Sequence, residues 1–361
     1  MKSQKENKVA LIYSDRFLDH KTGMHCEVPS RLSKALAAIN KFGLISGGQC
    51  EIVEPKQATV EEVKLIHDPQ YVEDIRRFCE AGGGHYDGDT ALSKESYEVA
   101  LLAAGGAIKG CELMFSGGPL RVFSLVRPPG HHAGISGRAL GASSVGFCVF
   151  NNIAIAAAYA LKKKLAKRIL ILDIDVHHGN ATQEAFNSSP DVLYISTHER
   201  GIYPGTGYED EVGVGEGSGF KVNLPLPSLS DDKVYLNAFK ETIIPVAEQF
   251  RPELVLLSAG YDAHHSDVIS SMALTAEGYG EMVRSAVKLA ERYSGGRVMA
   301  CLEGGYSDGC LSTALPETVA ALAGTTLKLE ERARPSPEPT VERAGEIFKK
   351  VKGALRERWN I

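Results

Sequence analysis

The sequence predicts an α/β fold in which helices cover both faces of a mostly parallel central β-sheet. Short aliphatic and β-branched runs alternate with longer helical patterns along the chain, and this alternation is typical of the class. At 361 residues, 43% hydrophobic and 24% charged, the chain can bury a large core. We expect a single domain over residues 1–361, with a core at about 9–325 and a C-terminal helical extension at 326–361.

Seven runs carry a strand pattern and four longer segments a helical one. The predicted strands are residues 9–14, 121–127, 168–174, 192–198, 220–226, 254–260 and 297–305. The predicted helices are 30–43, 93–115, 151–164 and 275–293. A linker-like segment, "ARPSPEPT" at 333–340, precedes a last amphipathic helix that we expect to pack on the same domain. Gly-rich irregular stretches at 81–90, 128–146 and 199–219 interrupt this rhythm, and long loops of this kind are usually functional.

Charge and cysteine content exclude several classes of function. The net charge of -5 is spread along the chain and its basic runs are typical of solvated helix faces, so we expect no direct nucleic-acid binding. Seven cysteines without a C-x-x-C pair argue against a disulfide framework or a zinc ribbon and favour a reducing, cytoplasmic setting. Neither a signal peptide nor an apolar run of the ~18 residues that a membrane helix requires is found, so we expect a soluble protein. The oligomeric state stays open.

Polar residues follow four of the predicted strands. In an open α/β sheet the ligand site lies outside the carboxyl ends of the strands, so these residues are the candidates for a site. They are His131 and His132 in "PPGHH", Asp175, His177 and His178 in "DVHH", Asp262 in "YDAHH" and Tyr306 in "EGGY".

The spacing after the strand at 168–174 predicts a metal site. Side chains alternate along an extended backbone, so Asp173, Asp175 and His177 project to one side, roughly 6 to 7 Å apart. Asp175 and His177 together with Asp262 make three N/O ligands with an open fourth position, as in catalytic zinc sites, and iron suits the same ligand types. A lone histidine at a strand end is more often a core or rim residue, but several converging acidic and imidazole groups are costly to bury without a cation. His178 should face the opposite side as a buried, hydrogen-bonded histidine.

Seven motifs together resemble the histone deacetylase family. In chain order they are "RPPGHHA", "GFCVFNN", "DIDVHHGNATQEAF", "VLYISTH", "YPGTG", "LVLLSAGYDAH" and "LEGGY". The resemblance runs from about residue 9 to 325 and is greatest to class II and prokaryotic histone deacetylase-like amidohydrolases, which are related to acetylpolyamine amidohydrolases. It implies the arginase/deacetylase fold. It also implies zinc-dependent removal of acetyl groups from acetyl-lysine side chains or small acetylated amines, with release of acetate.

The resemblance implies a role for each residue of the candidate catalytic set. Asp175, His177 and Asp262 become the zinc ligands. The residues with roles in proton transfer or charge stabilisation are His131 and His132 as tandem acid-base histidines, Asp173 and Asn180 as their respective partners, and Tyr306 as the donor to the oxyanion. An amide carries no negative charge to raise an imidazole pKa, so we expect His132 to be neutral and able to accept a proton near neutral pH.

Further residues resemble the family's substrate channel and a monovalent-cation site. Phe147, preceded by Gly146, and Tyr203 match the aromatic pair that walls the channel, and Asp89 or Asp87 matches a carboxylate at its rim. The residues that match the cation site, which would bind potassium, are Asp173, Asp175, His177, Ser196 and Thr197. Arg31 matches a basic residue near the channel through which acetate leaves, although a lone arginine at a helix start is more often a surface residue.

Two segments at the expected mouth depart from the family pattern and leave the substrate open. The stretch from His131 to Phe147 is several residues longer than usual, and "HHSDVISSM" lacks a usual proline and leucine. Ile269 stands where a polyamine-selective enzyme would carry an acidic residue. Two alternatives also stay open: a two-metal hydrolase of the arginase kind and a catalytically weak scaffold that binds acetyl-lysine.

Overall fold

A parallel β-sheet of eight strands forms the centre of the part of the molecule that the structure describes. The structure, a computed structural model, describes residues 8–332 and 334–361. Residues 1–7 and residue 333, the first of the predicted linker, lie outside the described residues. The eight strands are β1 (Val9–Ile12), β2 (Cys50–Val53), β5 (Arg121–Ser124), β8 (Ile169–Asp173), β9 (Val192–Glu199), β10 (Lys221–Leu226), β11 (Leu254–Ala259) and β12 (Val298–Leu302). Two short antiparallel hairpins add β3 (Gly83–His85) with β4 (Ala91–Ser93) and β6 (Ala133–Gly134) with β7 (Gly137–Arg138).

Helices of widely different length pack around this sheet. In chain order they are α1 (Ser30–Lys41), α2 (Val60–Val63), α3 (Pro69–Glu80), α4 (Ser96–Phe115), α5 (Asn152–Lys162), α6 (Asn180–Ala185), α7 (Asp232–Ala238), α8 (Ile244–Phe250), α9 (Ala276–Tyr293), α10 (Asp308–Ser312), α11 (Ala314–Leu322) and α12 (Glu338–Leu355). A π-helical turn, Phe239–Ile243, joins α7 to α8. The last helix, α12, packs against β10 and α7. None of the described helices combines the length and apolarity needed to cross a membrane.

The strand order brings the four candidate strand ends together. It runs β10-β9-β8-β11-β12-β5-β1-β2, and every neighbouring pair is parallel. The strands that precede the candidate residues, β8, β11, β12 and β5, are therefore four consecutive neighbours whose carboxyl ends meet at one edge. The chain leaves β8 toward β9 and leaves β11 toward β12, so the direction of winding reverses between β8 and β11. Such a reversal opens a crevice at which α/β proteins bind ligands.

The predicted α/β fold class is confirmed, and all seven predicted strands are present. They were visible in the sequence because strands covered on both faces read as continuous apolar runs, and all five residues of β8 are buried. The edge strand β2 was missed because it is only partly covered, with Ile52 48% exposed, and it lacks such a run. The two hairpins were missed because their strands are two or three residues long and lie within or directly after Gly-rich stretches.

Candidate active site

A channel of about 290 Å³ opens at the carboxyl ends of β5, β8, β11 and β12. Its lining includes many of the residues singled out in the sequence, namely Asp89, His131, His132, Gly146, Phe147, His177, Tyr203 and Tyr306. The apolar side chains of Ile202 and Ile269 complete part of the wall. Residues from distant parts of the sequence therefore share one concave site.

Asp175, His177 and Asp262 form a tight trio at the base of this channel. One ligand atom from each lies within 4.8 Å of the others. The Nδ1 atom of His177 is 3.1 Å from Asp175 Oδ1 and 3.2 Å from Asp262 Oδ2. Backbone N–H groups orient the carboxylates: Val176 donates to Asp262 Oδ1 (3.0 Å) and Gly304 donates to Asp175 Oδ2 (2.9 Å).

The donor chemistry of the trio fits a divalent metal ion. Two carboxylates and one imidazole are buried together, and Asp262 Oδ2 has no hydrogen bond of acceptable geometry among the described residues. Burial and the charge of Asp175 raise the pKa of Asp262 to about 6. For His177 the two carboxylates outweigh the effect of burial and raise the pKa to about 10, so the trio attracts positive charge. These are N/O ligands of the kind that bind zinc or iron.

Two glycines allow the carboxylates to lie against the backbone. A Cβ atom on Gly260 would overlap Asp175 Oδ2, and one on Gly304 would overlap Asp262 Oδ2. Any larger residue at these positions would displace a candidate ligand, so glycine is required here for close approach.

His131 is held in a negatively charged environment. Asp173 Oδ2 accepts a hydrogen bond from His131 Nδ1 (3.1 Å), and the hydroxyl of Tyr194 donates to the same oxygen (3.0 Å). Burial lowers the pKa of His131, but the charges of Asp175, Asp173 and Glu303 outweigh it and raise the pKa to about 10. In the metal-free protein this ring is therefore cationic at neutral pH, and a bound divalent cation would offset part of that effect.

His132 has the opposite environment, although its ring lies only 3.9 Å from that of His131. The amide of Asn180 donates from Nδ2 to the carbonyl of Ala139 (2.8 Å), which leaves Oδ1 to accept from His132 Nδ1 (2.8 Å). Burial and the neighbouring charge on His131 hold the pKa of His132 well below its usual value. The ring is therefore neutral with its proton on Nδ1, and Nε2 is free to act as a base.

Glu303 supports the tandem histidines and was not singled out in the sequence. Its carboxylate accepts hydrogen bonds from the N–H groups of Gly130 (2.7 Å) and His131 (3.2 Å) and from the hydroxyl of Ser258 (3.1 Å). Burial raises the pKa of Glu303 to about 7. Its place directly after β12, in the motif "LEGGY", was the available signal, because strand-end carboxylates were the criterion used for Asp175.

Tyr306 reaches the channel from the turn after β12. Its N–H donates to Asp267 Oδ2 (2.6 Å), and its ring packs edge-on against Phe147, with centroids 5.7 Å apart. The guanidinium of Arg31 lies 4.8 Å from the ring centroid and donates to the carbonyl of Gly305 (2.7 Å). Arg31 is 2% exposed, so it is a buried residue next to the channel. The surface position that is more common for a lone arginine at a helix start does not apply to it. Asp267 was missed, since only the folded loop brings it to Tyr306.

The aromatic wall depends on two residues with unusual backbone geometry. Gly146 (φ +53°) and Phe147 (φ +67°) both adopt left-handed conformations. A Cβ atom on Gly146 would collide with His132 and Tyr203, so glycine lets these two rings approach each other to 4.9 Å. The hydroxyl of Tyr203 donates to the carbonyl of Ser144 (3.0 Å), which fixes the ring.

The two aspartates of the 81–90 loop occupy different places. Asp89 lines the channel and accepts from the hydroxyl of Ser144 (2.5 Å), whereas Asp87 accepts from the N–H of Val145 (2.8 Å) and ties two loops together. His25, which was missed, packs 4.5 Å from Phe147 and hydrogen-bonds through Nε2 to the carbonyl of Asp89 (2.9 Å). A lone histidine in an N-terminal loop gives no sequence signal for this position.

The remaining predicted residues lie behind the metal trio. Ser196 is the parallel-sheet partner of Asp173, and the buried Thr197 Oγ1 has no hydrogen-bond partner among the described residues. His178 is buried and bonded through Nδ1 to the Thr206 hydroxyl (2.8 Å) and through Nε2 to Gln183 Oε1 (3.1 Å), away from the channel lining. The role of a hydrogen-bonded structural histidine accounts for it. The potassium ion stays a prediction.

Comparisons with known proteins agree with the motif pattern. The family profile of the histone deacetylase domain matches residues 25–322. A probable deacetylase of Archaeoglobus fulgidus is 41% identical over 325 residues, covering 88% of this chain and 87% of the relative. A histone deacetylase-like amidohydrolase of Pseudomonas aeruginosa is 35% identical over 286 residues, covering 79% and 73% respectively. The crystal structure of the HDA15 HD domain superposes with a TM-score of 0.87 at 32% identity and covers 99% of this chain and 96% of that one. The chain therefore belongs to the histone deacetylase family of hydrolases.

Proposed function

We propose that this chain is a zinc-dependent deacetylase that removes acetyl groups from acetyl-lysine side chains or small acetylated amines and releases acetate. One observation carries the proposal: a carboxylate-imidazole-carboxylate trio, two histidines in opposite electrostatic environments and a tyrosine all meet at one aromatic-walled channel. Each group needed to hydrolyse an amide is present and within reach of the same small volume.

Asp175, His177 and Asp262 would hold the metal. Zinc suits two carboxylates and an imidazole with an open position, and ferrous iron suits the same donors. When bound, zinc supplies a positive charge that polarises the acetyl carbonyl and makes a nearby water more acidic. Because these three side chains are buried and the two carboxylates are oriented by backbone N–H groups, the site is preorganised for that charge.

His132 is the general base in this proposal. Its Nε2 atom accepts a proton from the attacking water, because Nδ1–H is already committed to Asn180 Oδ1. The low pKa of His132 keeps the ring neutral before the reaction. As the new C–O bond forms, the negative charge of Asp175 favours the imidazolium that results.

Tyr306 and His131 act on the two ends of the breaking amide. The phenol O–H of Tyr306 donates a hydrogen bond to the carbonyl oxygen as negative charge develops there. His131, held by Asp173, supplies positive charge beside the reacting centre and helps to protonate the departing amine. The C–N bond then breaks, and acetate and a free amine leave. Buried Arg31, beside Tyr306, offers a positive charge along the path of the acetate.

The channel wall supports a substrate with an apolar, lysine-like stem. Phe147, Tyr203, Ile202 and Ile269 present apolar surface along the channel. Asp89 is the carboxylate at its rim and could accept hydrogen bonds from a peptide backbone or from the nitrogen atoms of an amine. These features favour acetyl-lysine and leave small acetylated amines as the second substrate class.

A potassium ion behind the metal trio is part of the proposal. Ser196 and Thr197 on β9 lie next to Asp173, and the hydroxyl of Thr197, which has no hydrogen-bond partner within residues 8–332 and 334–361, supports a cation bound there. Such an ion would steady the backbone that carries Asp175 and His177. Activity measured in sodium-free and potassium-free buffer, with each salt added back, tests this part.

A substrate panel tests the proposal directly. Zinc-loaded protein is assayed for acetate release from acetyl-lysine peptides and from acetylated polyamines, with Tyr306→Phe and His132→Ala as variants. We expect acetate release that both variants reduce strongly. Undiminished turnover in either variant would contradict the role given to that residue. About two metal ions that are both lost in Asp175→Asn, with a non-acetyl product, would indicate an arginase-like hydrolase. Binding of acetyl-lysine without any turnover would indicate a scaffold.

A further inference from the structure

A second group of metal-ligating side chains lies outside the catalytic channel. His264 and His265 follow Asp262 in the chain, and Glu331 comes from the segment between α11 and α12. One ligand atom from each of the three lies within 4.8 Å of the other two. We propose that His264, His265 and Glu331 bind a second divalent transition-metal ion, separate from the ion of the catalytic site.

Existing hydrogen bonds already orient two of the three ligands. The Nδ1 atom of His264 lies 2.8 Å from the hydroxyl of Ser266 and accepts a hydrogen bond from the N–H of Ser266 (3.2 Å), so Ser266 holds the ring with Nε2 toward Glu331. That Nε2 atom is 3.2 Å from Glu331 Oε1. The other oxygen, Oε2, accepts a hydrogen bond from the N–H of Ala276 (2.8 Å), so the carboxylate is fixed with Oε1 toward the histidine. Partners of this kind are typical of histidine and carboxylate metal ligands.

The hydrogen-bonded pair of His264 and Glu331 does not explain the environment of His265. Its ring lies 4.4 Å from that of His264, and its Nε2 atom is buried without a hydrogen-bond partner among the described residues. Buried polar atoms are nearly always paired, so an orphaned imidazole nitrogen beside a histidine and a carboxylate points to a missing ligand. Two imidazoles and a carboxylate are a common zinc set and leave a fourth position open.

The surroundings give such an ion access and a fourth ligand. A cavity of about 450 Å³ lies next to the cluster and is lined by His265, Ser270, Met272 and Arg334. Water or an anion could enter there and complete the coordination, and Arg334 would favour an anion. The open path satisfies a condition that any real metal site must meet, which is that the ion can reach it.

The position of the cluster suggests what the ion does. It would join the C-terminal segment that carries Glu331 to the loop between β11 and α9. That loop also carries Asp267, whose Oδ2 atom accepts the N–H of Tyr306 (2.6 Å). A metal at the cluster would therefore brace the loop that positions the catalytic tyrosine, without contacting the substrate.

Counting bound metal tests the inference. The full-length chain is stripped with a chelator, dialysed against excess zinc and washed, and zinc per chain is measured by mass spectrometry. We expect about two ions in the unaltered chain, about one in Glu331→Gln or His265→Ala, and about one in Asp175→Asn. Glu330→Gln, which changes an exposed neighbour, is the matched control and should keep both ions. Circular dichroism establishes that each variant is folded.

Cobalt gives a second readout that does not depend on activity. In the Asp175→Asn variant only the cluster should bind Co²⁺, so its visible absorption should disappear when His265→Ala is added. Two zinc ions retained in both Glu331→Gln and His265→Ala would overturn the inference. So would a single ion in the unaltered chain that is lost in Asp175→Asn. If the unaltered chain binds a single ion and still releases acetate, the second site is wrong and the proposed function stands. If the unaltered chain binds two ions and releases no acetate, the proposed function is contradicted and the second site stands.

Discussion

The floor of the channel and its mouth are built by different parts of the chain and hold their side chains in different ways. Floor residues follow neighbouring parallel strands, are buried and are fixed by backbone N–H groups, as Asp175 and Asp262 are. The mouth is made of loops, and two of its apolar side chains, Met24 and Val268, are almost fully exposed. Met24 adjoins His25, which packs on Phe147, and Val268 adjoins the wall residue Ile269. A rigid floor can define the chemistry while the loops define which substrates enter.

The largest effect should come from removing the metal or one of its ligands. We expect chelation or Asp175→Asn to reduce deacetylation by ~10³-fold or more, because the metal supplies several kcal/mol of transition-state stabilisation. Acetate release is measured before and after zinc is added back. Zinc should restore the unaltered chain and not the variant. Activity that survives complete chelation would show that the floor works without a metal.

Tyr306→Phe tests the same floor through one hydroxyl. It should reduce kcat by roughly 10²- to 10³-fold with little change in KM, because the hydrogen bond strengthens only as charge develops. Steady-state kinetics on an acetyl-lysine peptide measure both constants. Tyr293→Phe, at the far end of α9, is the control and should be neutral. A rise in KM with unchanged kcat would place Tyr306 with the mouth residues instead.

Asn180→Asp should change the pH dependence of the floor. A carboxylate beside His132 would favour the protonated ring and so raise the pKa of His132, which is low beside the uncharged amide of Asn180. Because the base must be neutral to act, activity on the acidic side would be lost at a higher pH than in the unaltered chain. We expect the acidic limb of kcat/KM to move upward and activity at pH 7 to fall by ~10-fold. An unmoved limb would contradict the assignment of His132 as the base.

Asp89→Asn should have a smaller effect, confined to substrate binding. The amide keeps one oxygen for the hydroxyl of Ser144 but loses its charge and part of its accepting capacity toward substrate. We expect KM for a peptide to rise by ~3- to 10-fold with kcat nearly unchanged. Asp87→Asn is the informative comparison, since Asp87 binds the N–H of Val145 and should affect stability more than KM. Equal losses of kcat in both variants would argue against a rim role for Asp89.

The smallest effects should come from the exposed residues of the mouth. Met24→Ala and Val268→Ser remove little buried surface, so the free energy of unfolding should change by no more than ~0.5 kcal/mol. Turnover of a short acetyl-lysine peptide should stay within about twofold, while the ranking of longer peptides should change. Thermal melts and a small peptide library measure the two quantities. A change in the ranking of short substrates would show that the region that selects substrates extends deeper into the channel.

The channel floor could be predicted from the sequence because its residues follow strands with strong apolar signals. Asp173, Asp175 and His177 stand at every second position, and alternation along an extended backbone predicts that they face one side, although β8 ends at Asp173 and residues 175–177 form a bend. The motifs around His131, Asp262 and Tyr306 then identified the family, which the comparisons confirm. Residues that support the site from loops, such as Asp267 at Tyr306 and His25 at Phe147, carry no periodic signal and were missed.

The sequence by itself determined the fold class, seven of the eight strands of the central sheet, the family and the candidate ligands, because these depend on local periodicity and on side-chain chemistry. Only the tertiary structure decided which strand ends are neighbours, since β5, β8, β11 and β12 meet through a strand order that differs from chain order. It also distinguished Asp89 from Asp87 and brought Glu331 to the histidines that follow Asp262. Contacts between residues far apart in the chain depend on packing of the whole core, which no local pattern encodes.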